Sequence, residues 1–152
     1  MTTTKSSIGW REWVHFVDFG DVAVKAKIDT GARTSALHAF GMEEVEVDGI
    51  RRVRFEIHPV QKRATPSVPV EAAIVDRRSV RNSGGIVEHR PVIETVVRLG
   101  EVTFPIELTL TRRDEMGFRM LLGRSAVRRR FLIDPGRSFL TNSTTPTTRS
   151  RS

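Results

Sequence analysis

Hydrophobic positions in this chain alternate with polar ones far more often than they recur at helical spacing. Val22, Val24, Ala26 and Ile28 alternate with Ala23, Lys25 and Lys27, the period-2 pattern of a half-buried strand. Val45 and Val47 lead into Asp48-Gly49, and Val53, Phe55 and Ile57 follow. That order predicts a strand, a two-residue hairpin turn and a returning strand. Residues 68–75, 86–99 and 102–110 read as further strands, broken by Asn82-Ser83-Gly84-Gly85 and by Gly100. Met120-Leu121-Leu122 is an apolar strand that ends in Gly123-Arg124. Only residues 125–130 read as a helix, and a short one. No repeat at a fixed period is present. Many strands at hairpin spacing with one short helix predict a mainly β fold, closed or sandwich-like.

Composition narrows this picture. At 152 residues one domain is the default. With 38% hydrophobic and 28% charged residues the chain can build a core. The working domain is expected over residues 8–140. The polar residues 1–7 and the Thr, Ser, Pro and Arg-rich residues 141–152 are expected to be disordered tails. The absence of cysteine excludes a disulfide framework, a thiol nucleophile and Cys-ligated zinc or iron–sulfur sites. No 18-residue apolar run predicts a membrane helix, and residues 1–7 lead into no apolar signal segment, so a cytoplasmic protein without a membrane partner is expected. The formal net charge is +7, and 21 of the 25 basic residues are arginine. That excess points to an acidic partner or nucleic acid, or to arginine serving as the general surface cation.

Candidate chemistry sits at the end of the first alternating strand, which runs into Asp29-Thr30-Gly31-Ala32. A strand that ends in this way presents a carboxylate at a tight turn. Gly31, lacking Cβ, admits close approach of a backbone or substrate, and the Thr30 hydroxyl can hydrogen-bond across the turn. A chance Asp-Thr-Gly arises in about 2% of sequences of this length. An Asx-type turn at a strand end explains the same residues.

Four longer blocks lead further. Gly9-Trp10-Arg11-Glu12-Trp13 and the run from Lys25 through Asp29-Thr30-Gly31-Ala32-Arg33-Thr34-Ser35 to His38-Ala39 resemble a bacterial branch of the retropepsin-like aspartic peptidases. So do Phe118-Arg119-Met120-Leu121-Leu122-Gly123-Arg124 and Phe131-Leu132-Ile133-Asp134-Pro135. The resemblance spans about residues 8–140. It implies a retropepsin-like closed β-barrel with one short helix near its C-terminal end. It also implies peptide hydrolysis by two carboxylates that share one proton and activate a water between them. The chain holds a single Asp-Thr-Gly and no Asp-Ser-Gly, and is too short for two lobes. The second carboxylate must then come from Asp29 of another copy, in a homodimer with an isologous interface.

In this reading Asp29, Thr30 and Gly31 are catalytic. Arg81, Asn82, Ser83, Gly84, Gly85 and Ile86 form a flap over substrate. Ala32, Arg33, Arg81, Ser83, Gly84, Gly85, Leu122 and Gly123 contact substrate, while His38 and Arg124 are structural neighbours of the site. Viral retropepsins carry an acidic residue where Arg33 stands, paired with an arginine that matches Arg124. That pair cannot form here. Arg124 needs another partner, and Arg33 is either a binder of substrate carboxylate or a solvated arginine. Members of the branch stand beside enzymes that add glutamate tails to proteins, and the resemblance implies trimming of such tails. The segment around the flap carries Arg77, Arg78, Arg81, His89 and Arg90, which would favour a polyanionic substrate.

Relatives are often labelled ATP-dependent zinc proteases, but the residues support neither word. His15, His38, His58 and His89 are far apart, and no His-Glu-x-x-His pattern occurs. The stretch from Gly117 to Ser125 is one residue too long for a phosphate-binding loop and lacks its lysine. No cofactor and no metal are expected. Arg128-Arg129-Arg130 lies in no nucleic-acid-binding pattern, so an acidic peptide is preferred over nucleic acid as partner. The alternative is a β-barrel that binds an acidic protein or RNA without turnover.

Overall fold

A computed structural model of the chain describes residues 5–60, 63–81, 84–113 and 117–141. Among these, twelve strands account for most of the chain. They are β1 (Ser6–Gly9), β2 (Arg11–Phe16), β3 (Val22–Asp29), β4 (Ser35–His38), β5 (Phe40–Val47) and β6 (Ile50–Ile57). β7 (Val68–Ala73), β8 (Asp76–Arg81), β9 (Val87–Leu99), β10 (Val102–Thr111), β11 (Met120–Gly123) and β12 (Phe131–Asp134) follow. One 3-10 turn covers Val17–Phe19, and one α-helix, α1, covers Arg124–Val127. The helix is shorter than the expected span 125–130, because Arg128 is extended and Arg129 adopts a φ of 70°.

The main sheet has the order β10-β4-β11-β3-β2-β9-β8. β9 also pairs with β10, antiparallel, with Val102 opposite Leu99. The run of pairings that leaves β10 through β4 therefore returns to β10 through β9. Alternate residues of these strands, among them Val14, Val24, Ala26, Leu37, Ile93 and Leu108, are wholly buried in one core. β5, β6 and β7 form a separate three-stranded antiparallel sheet, joined to the same core through Val53, Phe55, Ile57 and Val70. Its first turn is the expected one. Asp48 and Gly49 both have positive φ (54° and 78°), the twist that suits a two-residue hairpin, and Val47 faces Ile50.

The chain ends are tied in more tightly than expected. Ser6 and Ser7 belong to β1, which runs parallel to β12 and carries the buried Ile8, so the ordered domain begins before residue 8. Glu12 is fully buried, and its carboxylate accepts hydrogen bonds from the N–H of Gly9 (2.7 Å), the N–H of Leu140 (2.7 Å) and the hydroxyl of Thr141 (3.1 Å). Thr141, placed in the expected tail, is thus part of the domain; residues 1–4 and 142–152 lie outside the described residues. Among the described residues, no helix is long and apolar enough to cross a membrane.

Candidate active site

β3 lies between β2 and β11, and it buries Val24, Ala26 and Ile28 while Lys25, Lys27 and Asp29 stay partly exposed. The alternation brings Asp29 out of the core at the last strand position. Its Oδ1 accepts the N–H of Gly31 (3.0 Å), and its carbonyl accepts the N–H of Ala32 (3.2 Å). This is an Asx turn, which fixes the carboxylate through one oxygen. The other oxygen makes no hydrogen bond among the described residues.

The following loop is stitched to the corner between β11 and α1. The N–H of Arg124 donates to the Ala32 carbonyl (2.7 Å), and the N–H of Ser125 donates to that of Arg33 (3.0 Å). The Ser35 hydroxyl accepts the N–H of Gly123 (3.0 Å). Amides that the start of α1 would leave unpaired thus hold the Asp29 loop. The Arg124 guanidinium donates to the Thr30 carbonyl (2.9 Å), which is the partner the sequence left open. For Thr30 it is the carbonyl that bonds across the loop, while the hydroxyl makes no hydrogen bond among the described residues.

Asp29 opens onto a cleft of about 920 Å³. Its walls are the loop and β4 (Gly31 to Ala36), β8 (Arg78 to Arg81), β10 (Pro105, Ile106, Glu107 and Thr109), Arg90, and Leu121, Ser125, Ala126 and Arg130. Five expected site residues line it: Asp29, Gly31, Ala32, Arg33 and Arg81. Others do not. Leu122, expected to touch substrate, is fully buried in the core, and it is Leu121 on the opposite side of the strand that faces the cleft. Gly123 packs beneath the loop instead of facing substrate. His38 is stacked on Phe40 (ring centroids 3.8 Å apart), which stacks in turn on His58 (3.7 Å), away from the cleft walls.

The expected flap is the antiparallel hairpin of β8 and β9, with Arg81 opposite Val87. Gly85 has a φ of 83°, and its carbonyl accepts a hydrogen bond from Arg81 (2.8 Å). Gly84 and Gly85 are exposed and do not line the cleft. Asn82 and Ser83 lie outside the described residues.

Most of the cations expected around this flap are already committed. Arg77 is bonded to Glu44, whose carboxyl is held below the usual range by that hydrogen bond. Arg78 reaches Glu107 (2.7 Å), Asp76 (3.1 Å) and the Thr34 hydroxyl (3.5 Å). Arg90 is buried against Glu88 (3.0 Å), and the His89 ring shares a hydrogen bond with Ser79. Arg130 lies over the Phe104 ring. Arg33 differs: it is exposed, and its side chain has no hydrogen bond or ion pair among the described residues. Sequence reasoning counted Arg78 among the flap cations but missed Glu107 and Arg130 as cleft residues, since their partners Arg78 and Phe104 lie far away along the chain and no local pattern marks them.

A family model for the retropepsin-like aspartic endopeptidase RimB matches residues 7–144, which takes in every element of the cleft. The chain belongs to the RimB-like family. A Shewanella halifaxensis protein named probable alpha-L-glutamate ligase is 43% identical over 139 residues, covering 91% of this chain and 30% of that protein. A Parasynechococcus marenigrum protein of the same name is 46% identical over 133 residues, covering 88% and 28%. This RimB-like chain therefore spans less than a third of the length of those relatives. A solved Legionella pneumophila protein of unknown function has the same fold, with a TM-score of 0.73, 29% identity, and coverage of 91% of this chain and 99% of that one. The zinc named in labels of the family finds no donor set here. Among the described residues, no three His, Asp or Glu side chains converge as a metal site requires.

Proposed function

We propose that this chain is an aspartic endopeptidase, active as a homodimer on acidic peptides such as glutamate-rich tails. The observation that carries the reading is Asp29. It is held through one oxygen at the end of a buried strand, with its loop fixed by four hydrogen bonds, and it opens onto a cleft of about 920 Å³. One chain supplies one such carboxylate. Two brought to about 3 Å share a single proton, because like charges at that distance cannot both ionise. The ionised carboxylate takes a proton from water as its oxygen attacks the scissile carbonyl carbon. The protonated one donates to the carbonyl oxygen. A proton then passes to the departing amine nitrogen as the C–N bond breaks. In this reading a retropepsin-like closed barrel supplies the frame and the hairpin of β8 and β9 closes over the peptide.

Membership of the RimB-like family supports this reading, and the free Arg33 in the cleft supports an acidic substrate. A second reading has its own support, because the matching segment is also a minor part of proteins named as ligases. There the same barrel would hold an acidic peptide without cutting it. Cleavage of a glutamate-tailed protein by wild type and by Asp29→Asn separates the two. The peptidase reading expects loss of cleavage with binding retained. Equal cleavage by both proteins defeats the dyad, and binding without cleavage by the wild type favours the second reading.

A further inference from the structure

The cleft is rich in arginine, but its arginines are not equivalent. Arg78 is bonded to Glu107, Arg90 to Glu88, and Arg81 to the carbonyl of Gly85. Arg130 is spread over Phe104. Of the two carboxylates in the cleft walls, Glu107 is neutralised by Arg78, and Asp29 is the group assigned to catalysis. Arg33 remains. It is four residues beyond Asp29 on the same fixed loop, with its backbone carbonyl tied to Ser125 and its guanidinium uncommitted among the described residues. Fixing the backbone while leaving the fork free is what recognition of a planar anion needs, since the geometry is set before the ligand arrives.

We propose that Arg33 reads a side-chain carboxylate of the substrate, and that the dimer repeats this reading on both sides of the scissile bond. This rests on the homodimeric peptidase reading given above. The argument for two sides is one of symmetry. In an isologous dimer with Asp29 near the two-fold axis, whatever Arg33 does for one half of the cleft, the partner's Arg33 does for the other. A peptide lying across the axis then meets a guanidinium on each side. The substrate is acidic before and after the cut bond. Cleavage is directed into the interior of an acidic run, and not to its junction with an ordinary sequence.

The test uses peptides that differ only around the scissile pair, carrying glutamate on both sides, on one side, alanine throughout, or lysine on both sides. Wild type, Arg33→Gln and Arg33→Glu are compared by kcat/KM. Arg128→Gln serves as the control, an exposed arginine outside the cleft. A charge-assisted hydrogen bond on each side predicts that Arg33→Gln lowers the preference for glutamate over alanine at least about tenfold. Arg33→Glu should turn the preference towards lysine, and Arg128→Gln should leave it as it was. An unchanged glutamate-to-alanine ratio in Arg33→Gln overturns the assignment. One-sided peptides cut as fast as two-sided ones overturn the symmetric part alone. Binding of the two-sided peptide to Asp29→Asn, followed by fluorescence anisotropy, keeps the question apart from turnover. If no peptide is cut, the peptidase reading fails. Weaker binding by Asp29→Asn/Arg33→Gln than by Asp29→Asn then still supports Arg33 as the carboxylate reader, and equal binding sinks it. Because the exposed Arg33 side chain makes no hydrogen bond or ion pair among the described residues, thermal unfolding of Arg33→Gln should match wild type.

Discussion

A methyl group added at Gly123 would lie 2.7 Å from the carbonyl carbon of Thr34, 2.8 Å from its oxygen and 3.0 Å from the Ala32 oxygen. All three are backbone atoms of the loop that carries Asp29, so no side chain can swing aside. Gly123→Ala should therefore cost about 1–3 kcal/mol, the range for overpacking a tight interior. For a chain of this size that is a fall in Tm of about 3–10 °C, read by thermal unfolding. Cleft binding should be lost along with it. An unchanged Tm would mean that the loop is not seated on β11. At Gly31 the added methyl would meet only the Asp29 Oδ1, at 3.3 Å, so Gly31→Ala should disturb the carboxylate more than the fold. Asp29 was legible in the sequence because an alternating strand runs straight into Asp-Thr-Gly, and Arg33 because the resemblance set it where an acidic residue usually stands. Leu121 and Leu122 were not. Every residue of β11 is buried, so no polar position marks which side faces the cleft.

Among the elements, β9 does the most joining, and Glu88 near its start shows how. Burial pushes the Glu88 carboxyl up, but the Thr111 hydroxyl, the N–H of Arg112 and the Arg90 guanidinium together hold it below the usual range. A carboxyl lowered by folding adds stability above its unfolded value, about 4.3 for glutamate. That stability is lost as pH falls through the lower folded value. The Tm gap between wild type and Glu88→Gln should thus be widest near neutral pH and close below about pH 4. A gap that stays constant across that range would exclude the carboxylate charge as its cause. Alternation revealed most of the long strands but passed over β2 and β8, six residues each, and β1, β4 and β12, which have four. So short a stretch holds at most two alternations, and β1 and β12 find their partners at opposite ends of the chain. The flap cations failed in a related way. Arg77 and Arg78 look free along the sequence, yet Glu44 and Glu107 stand 33 and 29 residues away and meet them in space.

For the molecule as a whole, the decisive quantity is how many carboxylates one copy can bring to the reaction. The chain has one Asp-Thr-Gly, and its net charge of +7 sets two copies against each other at long range. In the proposed homodimer, assembly must be driven by contacts strong enough to overcome that repulsion, so activity should depend on both concentration and partner. If the dyad is shared, Asp29→Asn is more than an inactive protein: it is a poison for the wild type. With random pairing, a wild-type subunit mixed with a tenfold excess of Asp29→Asn finds another wild-type subunit only about one time in eleven. The activity per wild-type subunit should then fall to about a tenth of its value without the variant. The fall should appear only after the two have been mixed long enough to exchange subunits. The same excess of Arg128→Gln, which keeps Asp29, should cause no fall. A wild type indifferent to excess Asp29→Asn under exchanging conditions would show that each copy works alone. The symmetric reading of Arg33 would then lose its basis, and a second acid, with Glu107 the carboxylate already in the cleft walls, would have to be sought within one chain.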